Sequence, residues 1–266
     1  MVAENRPADQ DVLYEVRRGV AYVTMNRPQA RNALTFAMYD RVEQLCDEVD
    51  RDDAVRVMVL QGSGGHFAAG TDIGQFQTFE SGEQAIAYER QQERIMGHIE
   101  AVKKPTIAAI QGVAAGGGAM MAISCDLRIM ARGARIGIPV ARTLGNCLSI
   151  QNAQRLVSLI GPANTKRMIF TAMLVPAEEA LRWGLASEVV DDEVLADHVQ
   201  TTAETIAQHA PITLRVTKEQ ARRIAQQARI DPEAADDLIV ETYTSRDFRE
   251  GVSAFLAKRP PKWTGR

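Results

Sequence analysis

The sequence predicts an α/β protein, a sheet wrapped by helices over residues 1–190, followed by residues 191–266 made of helices alone. Three observations carry this prediction. Strand-like and helix-like segments alternate up to residue 190, glycine-rich loops follow buried apolar strands, and only helical periodicity remains beyond residue 191.

The elements follow in order. Residues 12–16 (VLYEV) and 19–25 (GVAYVTM) are two strands meeting at Arg18-Gly19, and Asn26-Arg27-Pro28 then breaks the pattern. From Leu34 to Val49 the apolar residues Met38, Val42, Leu45, Cys46 and Val49 recur at helical spacing, with Thr35 as N-cap. Residues 56–61 are a buried strand leading into Gly62-Ser63-Gly64-Gly65. A helix over 84–101 carries Ile95, Met96 and Ile99 on one face with Val102 just beyond, and Lys103-Lys104-Pro105 closes it. Thr106–Ile110 is a buried strand, and the glycines at 116–118 lead into a short helix. Strands near 127–131 and 134–138, helices near 149–160, 163–170 and 177–182, and a short strand at 186–190 complete this part. The last region contains helices at 191–208, 213–229, 233–244 and 246–257, the first with Leu195, Val199, Thr202 and Ile206 facing inward. No linker rich in Pro, Gly or Ser separates the two regions, so the helical one is expected to pack on the core or on a neighbouring subunit.

Composition narrows the function. The chain has 266 residues, 45% apolar and 24% charged, which excludes disorder and low-complexity architecture. With 31 Lys+Arg against 34 Asp+Glu, the net charge is −3, and no basic field exists to neutralise a nucleic-acid backbone. The three cysteines, Cys46, Cys125 and Cys147, form no CxxC pair, and no HExxH occurs, so neither a disulfide scaffold nor a metal site is expected. Buried thiols in a reducing compartment and a polar Met1–Asp11 segment without an apolar stretch point to the cytoplasm. The uncharged run Pro105–Cys125 has the length of a membrane span. It contains Gln111, Gly112 and three consecutive glycines, so it reads as strand, glycine loop and helix start, with no membrane partner.

Two segments carry the candidate chemistry: Gly64–Ile73 (GGHFAAGTDI) and Gly112–Gly118 (GVAAGGG), each after a buried strand. Small residues let the backbone approach a ligand, and exposed N–H groups in such turns hold negative charge. Two such loops side by side place two donors on one oxygen, the requirement of an oxyanion hole.

Together these segments resemble the crotonase, or enoyl-CoA hydratase/isomerase, superfamily. The resemblance runs through Asn26-Arg27-Pro28, Ala30–Leu34, Phe67–Ile73, Lys104–Gly112, the glycine triplet with Cys125-Asp126, Ala180…Gly184-Leu185-Ala186 and Phe255…Lys258-Arg259-Pro260-Pro261. It implies a spiral of repeated ββα units, a helical C-terminal region that builds a homotrimer or a dimer of trimers, and an acyl thioester of coenzyme A as substrate. No cofactor is implied beyond the coenzyme A of the substrate itself. By the same resemblance the backbone N–H groups of Thr71 and Gly117 hold the thioester oxygen and stabilise an enolate, with the Thr71 side chain filling space. Ala30, Ala69 and Ile73 meet the adenine, and Arg27 or Arg31, with Lys258, meet phosphates. Gly70, Asp72, Pro139, Arg142 and Cys147 border the same site, Asp72 mainly as a brace for its loop.

The chain departs from the family where hydratases carry two glutamates. Met120 stands at the first of these positions and Val140, after Pro139, at the second. Neither side chain moves a proton, so conventional hydration is not expected. The leading reading is a lyase or isomerase acting through the thioester enolate. Decarboxylation fits because it needs no base, with Arg142 orienting the carboxylate. The alternatives are a non-catalytic acyl-CoA binder and a weak hydratase. Cys147 is a nucleophile only if its pKa is lowered. His66 and Asp126 are expected to be structural, whereas Asn146, Ser149 and Asn152 offer hydrogen bonds to a polar acyl group.

Overall fold

A computed structural model describes residues 8–78, 81–227 and 230–266. Most of the polar N-terminal segment and the last two residues of the predicted helix 213–229 therefore lie outside the described residues. In chain order the larger elements are α1 (Ala8–Asp11), β1 (Val12–Arg17), β2 (Val20–Met25), α2 (Phe36–Arg51), β3 (Val57–Gly62), α3 (Gly82–Ala101), β4 (Thr106–Ile110), β5 (Val113–Ala115), α4 (Gly117–Ile123), β6 (Leu127–Ala131) and β7 (Arg135–Gly137). They continue with α5 (Val140–Thr143), α6 (Ile150–Phe170), β8 (Val175–Pro176), α7 (Ala177–Arg182), β9 (Glu188–Val190), α8 (Leu195–Ala207), α9 (Pro211–Gln227), α10 (Asp236–Thr244) and α11 (Arg246–Leu256).

The main sheet has six strands in the order β1-β2-β3-β4-β6-β9. The β1–β2 pair is antiparallel, and every later pairing is parallel. Parallel strands buried on both faces need continuous apolar runs, which explains why all five residues of β4 (TIAAI) are buried. A second row forms beside it: β5-β7-β8, extended by single bridges between Ala68 and Ala114 and between Leu34 and Thr71. From β4 to β7 the chain thus alternates between the two rows, as in a spiral of ββα turns.

The helices form where the sequence places them. Thr35 caps α2, its hydroxyl accepting from Met38 N at 3.2 Å. The stripe Met38, Tyr39, Val42, Leu45, Cys46 and Val49 is buried. Ser81 and Gln84 form a capping box on α3. The predicted break between two helices at 160–163 is real: Gly161 (φ 75°, ψ 163°) and Pro162 kink α6. Helix α8 buries Leu195, Val199 and Ala203, so Ala203 takes the inner position expected of Thr202. Sequence periodicity missed β5, β8 and α5, because two to four residues are too short to show a period. The helical C-terminal region returns onto the core. Helix α8 packs against β3 and β4, while α10 packs on α3. There a second apolar cluster collects Phe76, Tyr88, Leu144, Ile239, Tyr243 and Phe248.

Candidate active site

The two glycine segments meet at the ends of the parallel strands. Buried Asn32 pins the first. Its Nδ2 donates to Ser63 O (2.8 Å) and His66 O (2.7 Å), and its Oδ1 accepts from Arg27 N (2.8 Å). Asn32 adopts φ 57°, a left-handed conformation that its short amide tolerates better than most side chains. Residues 68–72 then run between two neighbours. Ala69 N donates to Arg31 O, Leu34 N to Gly70 O and Asp72 N to Leu34 O on one side; Ala68 N donates to Val113 O and Ala115 N to Ala68 O on the other. Among the described residues, neither the Thr71 N–H nor the Gly117 N–H donates to a protein acceptor.

Close approach explains two of the glycines. Gly70 has φ 111°, outside the reach of ordinary L side chains, and a Cβ there would sit 3.3 Å from Ala115 O. A Cβ on Gly117 would overlap the Tyr39 hydroxyl and sit 3.0 Å from Thr71 Oγ1. Thr71 and Gly117 are therefore neighbours in the lining of a cavity of about 420 Å³.

Of the sequence-predicted residues, Ala30, Arg31, Ala69, Gly70, Thr71, Asp72, Ile73, Gly117, Met120, Pro139, Val140 and Cys147 line this cavity, with Asn146 and Asn152. Arg27, Arg142 and Lys258 do not. The Arg27 guanidinium is spent inside the protein, donating to Ala33 O at 2.6 Å and to Asp72 Oδ2 at 3.2 Å. Asp72 also accepts from Gly74 N at 3.1 Å, so it braces its loop. Arg142 and Lys258 are exposed. His66 Nδ1 accepts from Val113 N at 3.2 Å, and Asp126 Oδ2 accepts from Thr106 N and Lys218 Nζ, each at 2.8 Å. Both tie loops together outside the cavity lining. Cys147 does not meet the condition for a nucleophile, because burial pushes its thiol up to about 11.

The Thr71 side chain does more than fill space. Its hydroxyl bridges two buried phenols, Tyr39 OH at 3.0 Å and Tyr88 OH at 3.1 Å, tying the loop to α2 and α3. Burial raises both phenols above the ordinary tyrosine range, so they stay protonated and act as hydrogen-bonding groups.

The sequence reading missed one wall of the cavity, built by α3. Tyr88, Glu89, Gln92 and Met96 line it. Glu89 is 5% exposed. Its Oε1 accepts from Tyr243 OH at 2.5 Å and its Oε2 from Ser149 N at 3.1 Å. Asn146 Nδ2 donates in turn to Tyr243 OH at 3.0 Å. Desolvation raises the Glu89 carboxyl to about 7, against the lowering effect of those hydrogen bonds. A signal existed. Tyr88, Glu89 and Gln92 sit in register with Ala85, Ile95, Met96 and Ile99, so a carboxylate and an amide occupy the core-facing stripe of an amphipathic helix.

Comparison with known proteins identifies the family. The family model described as enoyl-CoA hydratase/isomerase matches residues 15–266. The chain is 34% identical over 255 residues to a short-chain-enoyl-CoA hydratase of Clostridium acetobutylicum, covering 94% of this chain and 95% of that protein. It is 33% identical over 260 residues to a 1,2-epoxyphenylacetyl-CoA isomerase of Escherichia coli, covering 96% and 98%. Among solved structures it resembles a methylmalonyl-CoA decarboxylase in complex with 2-nitronate-propionyl-CoA, with TM-score 0.88, 29% identity and coverage of 97% and 99%.

Proposed function

Because the chain belongs to the enoyl-CoA hydratase/isomerase family, we propose that its cavity binds an acyl thioester of coenzyme A with the carbonyl oxygen between the Thr71 and Gly117 amides. The observation that carries this reading is the pair of adjacent N–H groups without protein acceptors. An α-proton of a thioester is weakly acidic because the electrons left behind collect on the carbonyl oxygen. Two preorganised donors hold that charge, and one such donor is typically worth about 3–4 kcal/mol. The reaction is an enolate reaction, and hydration in the usual two-carboxylate manner is not its chemistry. Met120 and Val140 line the cavity as apolar surface. Decarboxylation assisted by Arg142 has no geometric support, since that guanidinium is exposed and outside the lining.

The test replaces one donor. Turnover is followed by mass spectrometry over a panel of enoyl-, malonyl-type and aromatic acyl-CoA thioesters, with circular dichroism to check folding. Gly117→Pro, which removes the N–H, is expected to lower kcat/KM by about 10²–10³ for any substrate the wild type converts. Equal rates in the two proteins would sink the reading. Tight binding without turnover of any thioester would leave a carrier instead of an enzyme.

A further inference from the structure

We infer that Glu89, on α3, is the group that takes the α-proton of the bound thioester in this site. The inference deepens the proposed function and rests on it.

Position comes first. Glu89 and Asp72 are the carboxylates among the cavity-lining residues described. Asp72 is held by Arg27 and by Gly74 N. Glu89 is buried in the opposite situation, with no cation beside it among the described residues. Around it stand Tyr243 from α10, Asn146, Cys147 and Ser149 from the segment before α6, and Tyr88 from its own helix. Several charges on the surrounding elements are engaged with each other. Arg90 pairs with Asp236 at 2.9 Å, and Arg155 of α6 pairs with Glu93 at 2.9 Å.

Burying an unpaired carboxylate destabilises a fold, and a hydrophobic residue of similar size would fill this helix position better. Glu89 is instead held by one donor on each oxygen, leaving lone pairs on both. Beside it, Gln92 Nε2 and Asn146 Oδ1 are buried without a protein partner among the described residues. That wall of the cavity is therefore unsatisfied by the protein alone, as expected where a guest completes the hydrogen bonding. Burial also places the carboxyl near neutrality, where one group serves equally as base and as acid.

The chemistry balances without a co-reactant. Glu89 carboxylate takes the α-proton; the C–H electron pair moves into the enolate, whose oxygen is held by the Thr71 and Gly117 amides. With a β,γ double bond present the charge extends to the γ-carbon. Glu89, now a carboxylic acid, returns the proton there, and the double bond comes to lie between the α- and β-carbons.

The experiment uses butyryl-CoA, but-3-enoyl-CoA and phenylacetyl-CoA. Calorimetry measures binding, and NMR in D₂O follows exchange of the α-protons for every thioester that binds. The wild type is expected to bind and exchange, with a rate that rises with pH through a midpoint near 7. Glu89→Gln is expected to bind within about threefold and to lose exchange by about 10²–10⁴. Tyr243→Phe removes a hydrogen bond that favours the carboxylate, so its exchange midpoint moves to higher pH. Exchange in Glu89→Gln at the wild-type rate overturns the assignment, as does binding by the wild type without exchange; both leave the acyl-CoA site standing. Absence of binding for all three thioesters overturns the acyl-CoA reading, and the assignment with it.

Discussion

Glu89 illustrates what a single buried carboxyl costs a fold. Its carboxyl holds a proton to about pH 7 in the folded chain, whereas in the unfolded chain it returns to its ordinary value near 4.5. Below that lower value both states are neutral there and the group has no effect. Between the two values the unfolded state gives up its proton first, so stability falls as pH rises, and above about 7 the deficit is constant at about 3 kcal/mol. Glutamine carries no such penalty. Urea denaturation is therefore expected to show the stability advantage of Glu89→Gln over wild type growing by about 3 kcal/mol between pH 4.5 and 8. A difference that stays flat with pH contradicts the buried, unpaired state. At this scale the sequence was legible where the main chain lines the cavity: Gly70, Thr71 and Gly117 stand out by their small, glycine-rich surroundings, and all three are in the lining. It was misleading for Arg27, because a basic side chain near a glycine loop looks the same whether it meets a phosphate or, as here, Asp72.

Among the elements, helices and long strands could be read from periodicity, since burial of one face dictates the spacing of apolar residues. What could not be read is how the loop over 62–72 is fixed, because that depends on hydrogen bonds across 31–37 positions of sequence, Asn32 to Ser63, His66 and beyond. Asn32→Ala removes three hydrogen bonds and forces alanine into a left-handed conformation. Together these are expected to cost about 3–5 kcal/mol, measured by chemical denaturation. Acyl-CoA affinity is expected to fall as well, since the loop carries Gly70 and Thr71. Helix α3 shows the opposite case. Its apolar stripe was visible in outline and its capping box was not read, and the polar residues inside that stripe were the informative ones.

For the whole molecule, α9 is the exception to burial. Ile212 is 69% exposed and Ile224 70%, and Val216 lies between them on the same helix. Phe170, ending α6, is 77% exposed. A single chain leaves these faces uncovered, in keeping with the expected assembly into trimers or paired trimers. Light scattering is expected to give a mass three or six times the 29.2 kDa of one chain, and Phe170→Glu with Ile224→Glu to lower it toward one. A monomeric wild type contradicts the expectation. The parallel order of the sheet was not visible from local pattern, because strand pairing is a property of the complete chain; the alternation of strand and helix told only that a covered sheet would form.

The single bridges joining Leu34 to Thr71 and Ala68 to Ala114 have one more implication. They tie Leu34, Ala68, Thr71 and Ala114 into the frame of the protein itself, so the main chain beside the cavity keeps its course whatever side chains face it. Residues 89, 120 and 140 are thereby free to diverge. Side chains around such a frame can change without moving it, in keeping with the similarity of this chain to a hydratase, an isomerase and a decarboxylase.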